Sequence, residues 1–122
     1  MFDDRSPIYR QIADRIKAEV ASGALGPDAQ VMSTNQYASF YAINPATAAK
    51  AFQQLVDEGV LYKRRGLGMF VAPGARDMLI AGKRARYFDA VLGPALDEAA
   101  AIGISEDDIR TFIEARSRRH GI

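Results

Sequence analysis

Ile8, Ile12, Ile16 and Val20 recur every four residues through an otherwise polar stretch. That apolar stripe predicts an amphipathic helix. Ser6 is read as its N-cap, Pro7 as its first residue and Gly23 as its stop. Residues 24–32 make a connection in which Leu25 and Val31 are expected to face a core. Ser33-Thr34-Asn35-Gln36 then has the pattern of a capping box, a serine that caps and a glutamine that reaches back. It opens a helix through Tyr37, Ala38 and Phe40 to about Tyr41. Asn44 offers a further N-cap and Pro45 a further first residue, so a third helix follows at once. Its inward face is Ala48, Ala51, Phe52 and Leu55, and Gly59 ends it. The pattern then changes to short β-type runs, Val60-Leu61-Tyr62-Lys63 and Met69-Phe70-Val71. Between them Arg64-Arg65-Gly66-Leu67-Gly68 reads as a glycine-containing hairpin turn.

Beyond Pro73-Gly74 the chain turns Ala-rich and helical, which divides it into residues 1–73 and 74–122. Ala81, Ala85, Phe88, Leu92, Ala95, Ala99 and Ile102 alternate spacings of four and three, a heptad-like seam. Met78, Tyr87, Val91 and Leu96 add a second stripe. Gly93-Pro94 is expected to kink or break the helix. After Gly103 a last helix, from about Ser105 to Arg118, shows Ile109, Phe112 and Ile113 on one face. Packing of this tail on the upstream domain is the simple reading. One small domain offers too little surface for both stripes, which favours dimerisation through Ala81, Ala85, Phe88, Leu92, Ala95 and Ala99.

Composition narrows the function more than it names it. The 122 residues carry 16 Lys or Arg against 15 Asp or Glu and contain no Cys. Disulfides, thiolate metal sites and cysteine nucleophiles are excluded together. The only histidine, His120, leaves no material for a Ser-His-Asp triad or a multi-histidine metal site, and no enzyme or cofactor is expected. Met1-Phe2-Asp3-Asp4-Arg5 is acidic where a signal peptide is basic. No run approaches the ~20 apolar residues that span a bilayer. The expectation is a soluble cytoplasmic protein without a membrane partner. Residues 1–73 hold eight basic and seven acidic side chains, so a nucleic-acid surface has to come from placement rather than total charge.

Helix, helix, helix, strand, basic turn, strand is the order of a winged helix-turn-helix. The fold class expected is therefore mainly α with a small β-hairpin, followed by a short helical tail. Pro7-Ile8-Tyr9-x-Gln11-Ile12, Ser33-Thr34-Asn35, Asn44-Pro45-Ala46-Thr47, Glu58-Gly59-Val60-Leu61-Tyr62 and Arg64-Arg65-Gly66-x-Gly68-Met69-Phe70-Val71 together resemble the DNA-binding domain of GntR-family regulators. The short helical tail resembles the YtrA-like subfamily, which lacks the larger ligand-binding domains of its relatives. The resemblance implies a homodimeric transcriptional repressor that binds a roughly palindromic double-stranded operator. It also implies a small-molecule effector, which no motif identifies. A pocket between tail and winged helix, with Tyr87 and Phe88, is the expected place for it. The rival is a winged helix used for protein interaction without specific DNA binding.

Within that resemblance the third helix is the recognition helix, since a helix fits the major groove and its N-terminal residues reach base edges. Ala46, Thr47 and Lys50 project away from the inward face. Thr47 suits a base, a phosphate or a thymine methyl, and Lys50 a guanine edge or a phosphate. Asn44 and Pro45 define the helix start, where exposed N–H groups can hold a phosphate. Ser33 is read as a cap that also faces a phosphate. Many family members carry Arg two residues after this Ser. Here Asn35 stands there, and Asn pairs with adenine where Arg favours guanine. Arg64, Arg65 and Gly66 form the wing, with phosphate or narrow-groove contacts. A solvated helix face and an ordinary basic hairpin are the plainer readings of the same residues. Tyr9, Phe40, Phe52, Tyr62 and Phe70 are assigned to the core. Glu106-Asp107-Asp108 after Ser105 is assigned to helix capping rather than a metal.

Overall fold

The computed structural model describes residues 2–120, which group into two compact units, one running to Gly82 and one from Lys83. The first unit holds α1 (Ile8–Ser22), α2 (Thr34–Tyr41), α3 (Pro45–Asp57), β1 (Leu61–Arg64) and β2 (Gly68–Val71). The stripe on α1 buries Ile12, Ala13, Ile16 and Val20 against Tyr37 of α2 and Ala51, Phe52 and Leu55 of α3. Val60, Leu61, Val71 and Ala75 close the core from the other side. The four inward residues expected on α3 are all fully buried. Removing this apolar surface from water is the main force holding three short helices together.

Three local expectations are corrected. The N-cap of α1 is Pro7, whose backbone is extended at φ −56° and ψ 142°, and not Ser6. Gln11 secures the entry instead. Its Nε2 donates to the carbonyls of Ser6 and Asp3, both at 2.7 Å, and its Oε1 accepts the Asp3 N–H at 3.0 Å. The stripe correspondingly begins a turn later, and Ile8 is exposed. Phe40 is exposed too, at 69%. Tyr37 and Ala38 supply the buried face of α2. Phe40 lies about 200° round the helix from Ala38 at 3.6 residues per turn.

The two strands pair antiparallel, with Leu61 opposite Val71, Tyr62 opposite Phe70, Lys63 opposite Met69 and Arg64 opposite Gly68. Part of the connection between α1 and α2 lies alongside β2 and is not irregular there. Asp28 N–H donates to Val71 O at 2.8 Å, Val71 N–H to Ala29 O at 2.9 Å and Val31 N–H to Met69 O at 3.0 Å. The hairpin is thereby extended by a third, short edge, which ties its position to residues just before α2.

The division between the units falls within α4 (Ala75–Tyr87). Ala75 is buried with the first core and Leu79 packs against it. After α4 come a π-helical turn (Phe88–Leu92), α5 (Gly93–Ala101) and α6 (Glu106–His120). Gly93-Pro94 bulges the helix rather than breaking it. The Gly93 N–H reaches five residues back to Phe88 O. That wider turn accommodates a proline whose ring would clash with the carbonyl four residues before it. The α6 start is a reciprocal box, with Ser105 Oγ accepting the Asp108 N–H and Asp108 Oδ2 accepting the Ser105 N–H, both at 3.1 Å. The acids at 106–108 sit in the first turn and Arg118, Arg119 and His120 in the last, each complementing the helix dipole. Among the described residues no helix is long and apolar enough to cross a membrane.

Candidate nucleic-acid interface

The start of α2 is fixed by its own backbone needs. Ser33 Oγ accepts the Gln36 N–H at 3.1 Å and Gln36 Oε1 accepts the Ser33 N–H at 2.9 Å. The Ser33 hydroxyl proton remains able to donate outward. Asn35 takes no part in this box and is exposed. The helix therefore does not need its amide for capping.

At the start of α3, Asn44 Oδ1 accepts the Ala46 N–H at 2.8 Å. Asn44 O accepts the N–H groups of Thr47 and Ala48 at 3.0 and 3.1 Å. Pro45 has no N–H. The backbone donors expected to hold a phosphate here are thus already supplied with acceptors, and an anion would have to compete for them. Side chains are left as the main donors: the Asn44 amide, Thr47 and Lys50. Ala46 and Lys50 are exposed and Thr47 is half-buried. Lys50 is oriented, since its Nζ lies 4.1 Å from the centroid of the Tyr9 ring. A cation over an aromatic face is held there by the ring quadrupole. Tyr9, assigned to the core from the sequence, is half-buried against it and also serves as this seat.

The wing is built as a rigid tip. Tyr62 and Phe70 stack with centroids 5.7 Å apart, and the Arg64 guanidinium lies 5.6 Å from the Phe70 centroid. These two rings are half-buried on the hairpin rather than inside the core. Tyr62 Oη donates to Asp28 Oδ1 at 2.6 Å, and this bond holds the tyrosine pKa above its ordinary value. Lys63 shares a pair with Met69 and so projects from the opposite face to Arg64. Arg65 and Gly66 occupy the exposed turn. Gly66 has φ +76°, which L side chains rarely adopt, and open space where a Cβ would stand. Gly68 has φ +124°, and a Cβ there would fall 2.9 Å from Gln30 Nε2. That same Nε2 donates to Leu67 O at 2.8 Å. Gln30 therefore pins the wing tip, a role that its place in a polar connection does not announce.

Ser33 and Asn44 thus cap two consecutive helices, Asn35, Ala46 and Thr47 lie in their first turns, Lys50 lies in the second turn of α3, and Arg64, Arg65 and Gly66 lie at the end of β1 and in the turn after it. In the tail, Ala81 and Ala85 are exposed on α4, while Ala95 and Ala99 lie on α5. Phe88 and Leu92 fall at the two ends of the π turn, with Phe88 68% exposed and Leu92 partly covered. Tyr87 and Phe88 meet edge to face, 6.0 Å apart. Among the described residues no group of three or more His, Cys, Asp or Glu could hold a metal ion.

Residues 8–71 match the family "Bacterial regulatory proteins, gntR family". The transcriptional repressor NagR of Bacillus subtilis is 36% identical over 76 residues, which are 62% of this chain and 31% of NagR. The transcriptional repressor YtrA of the same organism is 34% identical over 83 residues, 66% of this chain and 64% of YtrA. The chain thus spans less than two thirds of the length of either relative. A transcriptional regulator from Oenococcus oeni has the same fold with a TM-score of 0.80 at 27% identity, over 94% of both chains. AraR(DBD) in complex with operator ORX1 aligns with a TM-score of 0.55 at 28% identity, over 59% of this chain and 93% of that one. The chain belongs to the gntR family of bacterial regulatory proteins, as a YtrA-like member with a winged helix-turn-helix.

Proposed function

We propose that the protein is a cytoplasmic, sequence-specific DNA-binding transcriptional repressor that acts as a homodimer on a roughly palindromic operator. The observation that carries this reading is the joint presentation of α3 and the wing. The exposed first turns of α3 come with an oriented Lys50, and the basic hairpin tip is held stiff by Gln30 and the Tyr62–Phe70 stack. A structurally similar domain, AraR(DBD), forms a complex with its operator. In this reading α3 enters the major groove through Thr47 and Lys50, with Ala46 allowing close approach. Asn35 reads or positions on an adjacent base. Ser33 and Asn44 contact phosphates, while Arg64, Arg65 and Gly66 follow the flanking minor groove. Residues 1–73 are the DNA-binding part, and residues 74–122 pair two copies through Ala81, Ala85, Phe88, Leu92, Ala95 and Ala99. Pairing would set two recognition helices about one DNA turn apart, ~34 Å. Promoter access would be blocked by occupancy.

Selection of bound duplexes from a random pool, followed by affinity measurements across a salt series, tests this. The expected result is an enriched two-half-site motif bound with a steep salt dependence. A pool that returns no motif, with equal affinity for every duplex, would contradict it and favour a protein-interaction module.

A further inference from the structure

The hairpin turn carries glycines at φ +76° (Gly66) and φ +124° (Gly68), so its own backbone restricts Arg65 little. One bond closes the turn from within, the Leu67 N–H donating to Arg64 O at 2.9 Å. From outside, residues 28–31 run along β2, with Gln30 bridging Phe70. Their last backbone bond toward the tip is that of Val31 to Met69, which stops short of the turn. Among the described residues, the Gln30 side chain carries the tie further. Its Nε2 donates to Leu67 O at 2.8 Å, joining positions 37 apart in sequence. Both peptide groups of Leu67 are thereby held. Gln30 is exposed, and glutamine is among the side chains that lose most rotamer freedom when fixed. Its bond therefore adds little to the stability of the fold and acts on the geometry of the tip.

We propose that Gln30 is a positioning residue that sets DNA specificity through the wing: by fixing Leu67 it holds Arg65 in one place, and the protein then favours operators whose flanking minor groove is narrow. The inference rests on the reading of the hairpin as a DNA-binding wing. Narrow A·T-rich grooves concentrate negative potential and attract an inserted Arg. A tip already held in one conformation meets that groove without an ordering cost, and it cannot follow a wider one. A tip left free at Gly66 and Gly68 adapts to either groove, is ordered at a cost on both, and discriminates less. Gln30 also stands three residues before Ser33, so the same short stretch of chain links the wing to the helix that bears Asn35.

Gln30→Met keeps the length of the side chain and removes the donor. The affinity of the full chain is measured for two duplexes that share the selected half-sites and differ in having A·T-rich or G·C-rich flanks. Wild type is expected to prefer the A·T-rich flanks. Gln30→Met is expected to lose about two- to tenfold on that duplex, the range of one hydrogen bond. It is expected to lose less on the G·C-rich duplex, so that the preference shrinks. Added to Arg65→Ala, the substitution is expected to cost nothing further; added to Lys50→Ala, it is expected to cost its full factor. In the free protein, nitrogen-15 relaxation is expected to show more fast motion at residues 65–68 of Gln30→Met, with the α3 amides unchanged. Equal losses on the two duplexes, full additivity with Arg65→Ala, or unaltered tip motion would overturn the inference. So would a wild type that selects half-sites but ignores their flanks. A wild type that selects no half-site would instead remove the functional reading, and the specificity role with it.

Discussion

The two units use apolar residues in opposite ways. All the buried hydrophobic side chains of the described residues lie between Ile12 and Ala75, and none lies from Lys83 onward. The second unit nevertheless exposes Tyr87, Phe88, Val91, Leu96, Ile102, Ile104, Phe112 and Ile113. The first unit is explained by its own burial. The second shows helices whose caps and end charges are well formed while their apolar stripes are left largely uncovered. A helix of that kind gets its local geometry from capping and propensity but most of its stability from a face that covers it. Large uncovered apolar patches are uncommon on monomers and mark interaction surfaces. The contrast is what supports assigning DNA reading to one region and pairing to the other.

The contrast predicts first that core truncation is costly only upstream. Phe52→Ala should destabilise the first unit by about 3–5 kcal/mol, as a fully buried aromatic does. Phe112→Ala, at an exposed site, should move the same urea transition very little. Equal effects would remove the distinction. Second, Phe88→Asp combined with Leu92→Asp should yield monomer in sedimentation equilibrium and abolish operator binding, because charged groups would stand in the proposed seam. Large truncations at covered sites cost a few kcal/mol each. The upstream amide spectrum should survive.

Much of the first unit is legible in the sequence because its signals are local. Ser33 with Gln36, Asn44 with Pro45, and the inward set Ala48, Ala51, Phe52 and Leu55 are each written within four residues or at helical spacing. The departures come from longer-range partners. Ser6 yields the cap to Pro7 because Gln11 reaches back to Asp3 and Ser6. Residues 28–31 look like a connection because their pairing with β2 is set by tertiary contact. Tyr9 packs against the core as its residue type suggests, but nothing in the sequence says that Lys50 will lie over the ring. Of the proposed interface, the motif supplies the candidate positions. It does not supply the anchoring of the wing by Gln30, since that depends on the close approach at Gly68. In the tail, Gly93-Pro94 signals a disturbance, but a π turn rather than a break depends on how the preceding carbonyls are shared.

Smaller effects refine the DNA-reading side. Lys50→Ala and Arg65→Ala should each weaken operator binding and lower the log–log salt slope by about one unit for every phosphate no longer neutralised, with the fold intact by circular dichroism. Unchanged affinity in both would remove the proposed docking. Asn35→Arg should shift selected sequences toward guanine at one position in each half-site, a preference worth about 1–3 kcal/mol for a bidentate contact. Identical motifs from wild type, Asn35→Ala and Asn35→Arg would make the residue structural only.

The smallest effect concerns pH. The hydrogen-bonded ion pair with Lys17 holds the Glu58 carboxyl below its ordinary value, with Gln54 adding a second bond. A depressed carboxylate stabilises the fold above its unfolded value of 4.5 and gives up that contribution as pH falls through its folded value. Both groups are partly exposed, so the effect is slight. Glu58→Gln should flatten the acid limb of a pH–stability profile below about pH 4.5 and change little at neutral pH. A limb identical to wild type would show that the pair between α1 and α3 contributes nothing.

The division of labour is tested most directly by sedimentation equilibrium of the full chain at tens of micromolar, alone and with selected duplexes carrying one or two half-sites. The account predicts a dimer in free solution, and two chains bound together on the two-half-site duplex. A chain that stays monomeric alone, and that loads one copy per half-site independently, would contradict both the paired tail and the palindromic operator.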